Sequence, residues 1–442
     1  MMTTSKAHIQ LFHRGAWRLV ATVQPYPVRG QDGFNANSVL SYDIDYAAEL
    51  YPDATPIEMV GCRYPVNFDS HPMSHWPTFL LDMVPTGNAR KYWLKKLSLK
   101  DDHPSSWWPL LLTGAGSPPG NMRIREAVDH SFDHPTHAGF TTEEIVEKNE
   151  NFIEYAQSRG ATVAGATDVQ GEAPKFLLVR DQRGKWHADA ALPDDQAMDH
   201  WLVKFPRGKD DNDKIVLRNE APYYDVAQQF GIRTSQKQLL YRDDALFIPR
   251  FDREVTRNGL ARYGLESLAS ISNVCEFGKR MSHNRSCQMI MKYTTDPITE
   301  LKEYILRDVL NVCLRNTDNH GRNTAFIKTP DGEFRLSPLF DFAPMFLDPE
   351  GIARASLWDS DGETEIGVPE WGQVATDLGS ELKIDLIEMR SWLANLEERV
   401  TQLPDTMQKC GVNVEIIERL ERRIHNVAEL LSKARPTSGG LK

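Results

Sequence analysis

Residues 314–327 read LRNTDNHGRNTAFI, and LSPLFDFAP follows at 336–344. The preceding PITELKEYILRDVLNVCLRN places Ile298, Leu301, Tyr304, Ile305, Val309 and Val312 at near-helical spacing. That period predicts a helix with one apolar face. After the polar run, TAFI and FRLSP flank the turn TPDGE and predict a hairpin. A chain that inserts Asn, Asp, His and Arg between a core helix and a hairpin has two options. It builds a polar turn of caps and local hydrogen bonds, or it builds a catalytic loop.

Asp318 and Asn323 stand at D-x-x-x-x-N, a spacing that lets one short loop do two jobs in phosphoryl transfer. The Asp accepts or orients the proton of the attacking hydroxyl, and the Asn helps to hold magnesium. The hairpin then returns Asp341 toward the loop, where a carboxylate suits the ion that bridges nucleotide phosphates. Asp341 lies between Phe340 and Phe342, and a charge in that apolar frame needs a partner or a metal.

Lys204, in HWLVKFP, reads either as a phosphate-binding lysine on a core strand or as an edge-strand lysine with its head in water. Glu220, expected to open the following helix, is a candidate to hold Lys204 in place. GATDVQGEAPKF (165–176) lacks the spacing of a Walker loop, but amides at Gly165 and Gly171 suit phosphate. His320 has no second His or Cys at ligand spacing, which leaves a loop-stabilising or phosphate-contacting role ahead of a metal-ligating one.

The order of patterns predicts an α+β chain in three parts. Residues 1–155 read as a mixed, strand-rich domain with a hairpin around His13-Arg14-Gly15 and a short helix over NARKYWLKKL. In it, PLLLTGAGSPPGNMRI reads as an apolar segment, a Gly/Pro turn and a returning strand. Residues 156–260 read as a small lobe, with strands at KFLLV, HWLVKF and ALFIPRF and a helix over NEAPYYDVAQQFG that Gly231 ends. Residues 261–442 read as the helical lobe.

The formal net charge of −11 argues against broad contact with a nucleic-acid backbone. Cys62, Cys275, Cys287, Cys313 and Cys410 are scattered without a CxxC pair, which points away from a disulfide framework or a zinc site. Neither a signal peptide nor a bilayer-length apolar run is evident, so the expectation is a cytoplasmic protein without a membrane partner.

Taken in order, LSYDIDYAAEL, LDMVPTGNARKYW, LLLTGAGSPPGNMRI, GATDVQGEAPKFLL, HWLVKFP, NEAPYYDVAQQFGI, IPRFDR, LRNTDNHGRNTAFI and LSPLFDFAP resemble the HipA-like serine/threonine kinases of bacterial type II toxin–antitoxin systems. Their spacing is similar to that of the HipH-like branch. The resemblance implies a kinase-like fold: a mixed α/β N-terminal domain and small lobe, then an all-helical C-terminal lobe. It implies a catalytic Asp318, magnesium ligands Asn323 and Asp341, an ATP-phosphate lysine Lys204 and a nucleotide-hinge residue Phe251. To these the reading of the residues themselves adds Gly171 and His320 as expected nucleotide contacts. The resemblance also implies ATP and magnesium as cofactors, and a bacterial protein substrate such as a translation factor or an aminoacyl-tRNA synthetase. The partner it implies is a small DNA-binding antitoxin, with no direct nucleic-acid binding by this chain.

One position departs from the family. Its phosphate loop commonly carries a serine that is autophosphorylated, and Asp168 stands there, with Thr167 as a neighbouring acceptor. The acidic loop supports an alternative reading, a catalytically impaired nucleotide-binding scaffold that represses transcription with the antitoxin. A third reading is a metal-dependent phosphohydrolase using Asp318, His320 and Asp341, which the lack of histidine pairs disfavours.

Overall fold

The computed structural model describes residues 6–26, 31–100, 103–129, 138–148, 150–158, 162–163, 173–235, 237–257, 259–349, 351–360 and 367–436. The chain divides into two compact units. The first comprises Met1–Lys209, Ser235–Gly278 and Ala325–Ser337; the second comprises Asp210–Thr234, Lys279–Thr324 and Pro338–Lys442. Together they make a mixed α/β chain with several antiparallel sheets and a helical second unit.

The first unit begins with the expected hairpin, Ala7–His13 against Ala16–Pro25. Its two-residue turn, Arg14-Gly15, has positive φ at both positions, as the twist of a tight hairpin demands. Ser38–Tyr42, Ser70–Met73 and Met122–Ile124 extend the pair to five antiparallel strands. Ile9, Leu11, Val20 and Leu40 of this sheet share a core with Trp76, Trp108 and Leu111. The apolar segment before the Gly/Pro turn is a helix, Trp107–Gly114, and the returning strand is Met122–Ile124. A second sheet orders Leu240–Arg242, Ala245–Pro249, Ala197–Lys204, Lys175–Asp181 and Thr162–Val163.

A third sheet of Gly264–Ser267, Ala325–Lys328 and Phe334–Leu336 contains the hairpin expected after the polar run. Its buried Lys328 and Glu266 form an ion pair at 3.0 Å. Lys328 also donates to the Met59 carbonyl, and Glu266 accepts the Cys62 N–H, so the hairpin is fastened to the N-terminal region. Gly120 approaches this sheet at φ +91°, a conformation that favours glycine, and a Cβ there would lie a tight 3.2 Å from the Leu265 nitrogen.

In the second unit the helix Asp211–Gln229 starts eight residues before the expected NEAPYYDVAQQFG. Asp210 caps it by accepting the Asn212 N–H, and Gly231, at φ +88°, follows its end. Glu220 therefore sits mid-helix rather than at its opening. The helix Pro297–Leu314 opens with Asp296 as cap and Pro297 in its first turn. It is buried nearly all round from Leu301 to Leu314, including Arg307 and Asp308, while Ile298 is exposed at its entry. Val414–Ser432 and the helices from Trp371 onward complete the unit.

Candidate active site

The helix Pro297–Leu314 ends because Arg315 turns left-handed, at φ +51°. Asn316 then reaches back, its N–H to the Asn311 carbonyl and its Nδ2 to Asn311 Oδ1. From this fixed start the loop folds on itself. Asn323 N–H donates to the His320 carbonyl, and Asn323 Nδ2 donates to the Asp318 carbonyl at 2.9 Å. The two residues of the D-x-x-x-x-N spacing are thus in direct contact. That contact commits the amide nitrogen of Asn323 and leaves its oxygen, the atom a hard cation takes, as the end offered.

His320 is buried and acts on the loop itself. Its Nδ1 accepts the Arg322 N–H at 3.2 Å, which puts the ring hydrogen on Nε2. Nε2 faces Asp318 Oδ1 at 3.4 Å, so His320 orients the carboxylate. The Asp318 carboxylate is only partly buried, with about a fifth of its side chain open to solvent.

Asp341 adopts φ +55°, a conformation that Asp tolerates better than most residues. The next residue, Phe342, is buried and packs on the Tyr223 ring with centroids 5.5 Å apart. Tyr223 also donates its hydroxyl to the Leu314 carbonyl, the last of the helix that leads into the loop. One buried tyrosine therefore fixes the entry to the Asp318 loop and braces the residue beside Asp341. Burial pushes its phenol well above the ordinary tyrosine range.

Lys204 belongs to the first unit, on the strand Ala197–Lys204, and is 3% exposed. That strand pairs with Ala245–Pro249 on one side and Lys175–Asp181 on the other. The edge-strand reading is thereby excluded. Phe251 lies in the same unit, half-buried, between Arg250 and Asp252. Gly171, Asp168 and Thr167 lie outside the described residues.

The sequence reading passed over the charged neighbours of Phe251. Arg250 donates two hydrogen bonds to Asp252, at 2.8 and 2.7 Å, and reaches Asp189 at 3.0 Å. Arg253 donates to Asp252 and to the Gly120 carbonyl, and the Gly120 N–H donates to Asp252. His200 Nδ1 meets Asp189 at 2.8 Å. Burial would raise both carboxyls, but the Arg250 and Arg253 guanidiniums outweigh it and hold Asp189 and Asp252 well below the usual carboxylate range. The alternation R-F-D-R in an apolar frame was the available signal.

Among the described residues no three of His, Cys, Asp or Glu converge as a metal site. A cation at the loop would instead use the Asn323 amide oxygen, the Asp341 carboxylate and phosphate oxygens. Magnesium suits that donor set, since it binds few protein oxygens and keeps the rest of its shell for phosphate and water.

A family model described as the HipA-like C-terminal domain matches residues 167–409. A curated Haemophilus influenzae protein named as a putative kinase is 25% identical over 197 residues, covering 41% of this chain. The chain spans 54% of that relative's length. A chain of the Shewanella oneidensis toxin–antitoxin complex of HipA, HipB and operator DNA overlays with a TM-score of 0.65 at 14% identity, covering 98% of this chain and all of that one. That likeness is one of fold. The Helicobacter pylori proinflammatory kinase CtkA overlays at a TM-score of 0.31 with 14% identity, covering 54% of this chain and 88% of its own.

Proposed function

Because this chain belongs to the HipA-like C-terminal domain family, we propose that it is an ATP- and magnesium-dependent protein kinase, the toxin of a toxin–antitoxin pair. It transfers phosphate to a serine or threonine of another protein. The contact of Asn323 Nδ2 with the Asp318 carbonyl carries this reading, because it builds base and metal ligand into one rigid turn.

In this mechanism Asp318 orients the substrate hydroxyl and takes its proton as the oxygen attacks the γ-phosphorus. The bond from that phosphorus to the bridging oxygen breaks, and ADP leaves. Lys204 holds the nucleotide phosphates, and Phe251 lies in the nucleotide hinge. Asn323 and Asp341 would hold magnesium, which supplies charge neutralisation across the phosphate oxygens. The protein's own part is positioning and electrostatics.

By this reading residues 1–155 form the N-terminal domain, 156–260 the small lobe and 261–442 the helical lobe. The helix Asp211–Gln229 falls in the small lobe by chain position but groups with the second compact unit. The solved HipA structure contains HipB and operator DNA. By analogy, a separate DNA-binding antitoxin is the partner proposed here. Among the described residues no helix is long and apolar enough to cross a membrane.

The test is transfer of labelled γ-phosphate from ATP to proteins of a cell extract, beside Asp318→Ala. Labelling abolished by the substitution supports the kinase. ATP binding without transfer to any protein would favour the scaffold, and release of free phosphate alone would favour a hydrolase.

A further inference from the structure

Asn319, the residue after Asp318, has no role in the mechanism above, yet it makes four hydrogen bonds to one distant stretch. Its Oδ1 accepts the N–H groups of Ala355 and Ser356, at 2.9 and 3.0 Å. Its Nδ2 donates to the Ser356 carbonyl, and its own carbonyl accepts the Ser356 hydroxyl, each at 2.9 Å. Every polar group of the side chain is used on a single dipeptide.

That dipeptide is itself fixed. Ser356 and Leu357 pair in parallel with Met281 and Ser282. On either side, Arg354 Nη2 lies 2.8 Å from Asp308 Oδ1, and Trp358 Nε1 donates to Asp308 Oδ2 at 2.9 Å. The Trp358 ring stacks on His283, whose Nδ1 meets the Tyr304 hydroxyl at 2.7 Å. Asp308 and Tyr304 belong to the helix Pro297–Leu314, which runs into the Asp318 loop. The path is therefore a closed circuit within the second unit: helix, loop, Asn319, residues 354–358, and back to the helix through Asp308.

We infer that Asn319 is a positioning residue for the proposed phosphoryl transfer, fastening Asp318 to residues 354–358. The inference rests on the kinase reading. Asn323 pins the Asp318 carbonyl from one side, and Asn319 pins the following peptide from the other. A catalytic group has to be held to within a fraction of an ångström, and such support comes from surrounding hydrogen bonds. Many kinases order the segment after the magnesium-binding Asp by pairing an added phosphate with arginine. Here the buried Asp308 carboxylate already supplies the anion that Arg354 pairs with.

The experiment uses the full chain and compares wild type, Asn319→Ala and Asn319→Asp. It reads kcat and KM for ATP, together with amide hydrogen exchange of residues 351–358. In Asn319→Ala, kcat falls roughly 10- to 100-fold while the Ala355 and Ser356 amides lose protection. KM for ATP stays within about twofold, since the loss falls on the transition state rather than on nucleotide binding. Asn319→Asp keeps an oxygen for both amides but loses the donor to the Ser356 carbonyl, so it restores their protection in part and recovers part of kcat. Unchanged protection in Asn319→Ala overturns the clamp. Lost protection with unchanged kcat overturns the positioning role, and so does an Asn319→Asp chain that keeps protection but no activity. Wild type without transfer removes the kinase reading and the positioning role together, and the exchange data then judge the clamp separately.

Discussion

Residues 250–253 and residues 316–323 are both dense in charged and polar side chains, and the fold treats them in opposite ways. Around residue 250 the charges are fully buried and turned on each other: Arg250, Arg253, Asp252 and Asp189 form a closed knot with Gly120 and His200. In the loop, hydrogen bonds use the side chains of Asn316, Asn319 and His320 and the Asn323 amide nitrogen to hold the turn, while the Asp318 carboxylate remains partly open. Polar density alone therefore does not mark a site. What separates the two regions is whether reactive ends are consumed by the fold or offered by it.

The largest expected effect on stability comes from opening the knot. Asp252→Ala leaves two buried guanidiniums without their shared partner and costs about 3–5 kcal/mol, measured by urea denaturation. A loss under about 1 kcal/mol would mean that the knot is no more structural than a surface pair.

Acid sharpens the same contrast. Asp189, Asp252 and Asp308 have folded-state values held below the ordinary carboxylate range against the opposing push of burial, the first two by guanidiniums and Asp308 by Arg354, His283 and Trp358. A depressed folded value adds stability that is present above the unfolded value, about 3.9, and is lost as pH falls below it toward the folded one. The unfolding free energy of wild type should hold between pH 7 and 5 on this account and drop steeply below about pH 4. Asp252→Ala, with one of these carboxyls gone, should show a shallower drop over the same range.

A smaller loss is expected where the loop meets its support. Tyr223→Phe keeps the ring on Phe342 but removes the hydrogen bond to the Leu314 carbonyl, at a cost of about 1 kcal/mol in urea denaturation. The smallest is at Asp318. Asp318→Asn alters a partly open side chain of the same size, and stability should move by no more than about 0.5 kcal/mol.

How much of this was legible in the sequence follows from the range of each interaction. The hairpin at Arg14-Gly15, the strand at HWLVKF and the hairpin after the polar run were readable because turn chemistry and period are local signals. The helix Trp107–Gly114 was not, since a short apolar run fits helix and strand alike. The first turn of Asp211–Gln229 was hidden by its polar residues, and the Ile215-Val216-Leu217 run after it carries no helical period. The spacing of Asp318 and Asn323 was legible as one short loop, and the two residues do meet there, whereas the internal position of the Lys204 strand could not be read from its local pattern. The Arg250 knot and Asn319 escaped notice because their partners, Asp189, Gly120 and residues 355–356, are remote in sequence.

The measurement that bears most directly on the account is the labelled-phosphate transfer rate of Asp318→Asn, at a folded concentration matched to wild type. The account predicts a fall of roughly 10²- to 10⁴-fold, the usual worth of a positioned general base, in a chain whose urea midpoint is essentially unchanged. Transfer at the wild-type rate would contradict it, as would a fall no larger than the loss of folded protein.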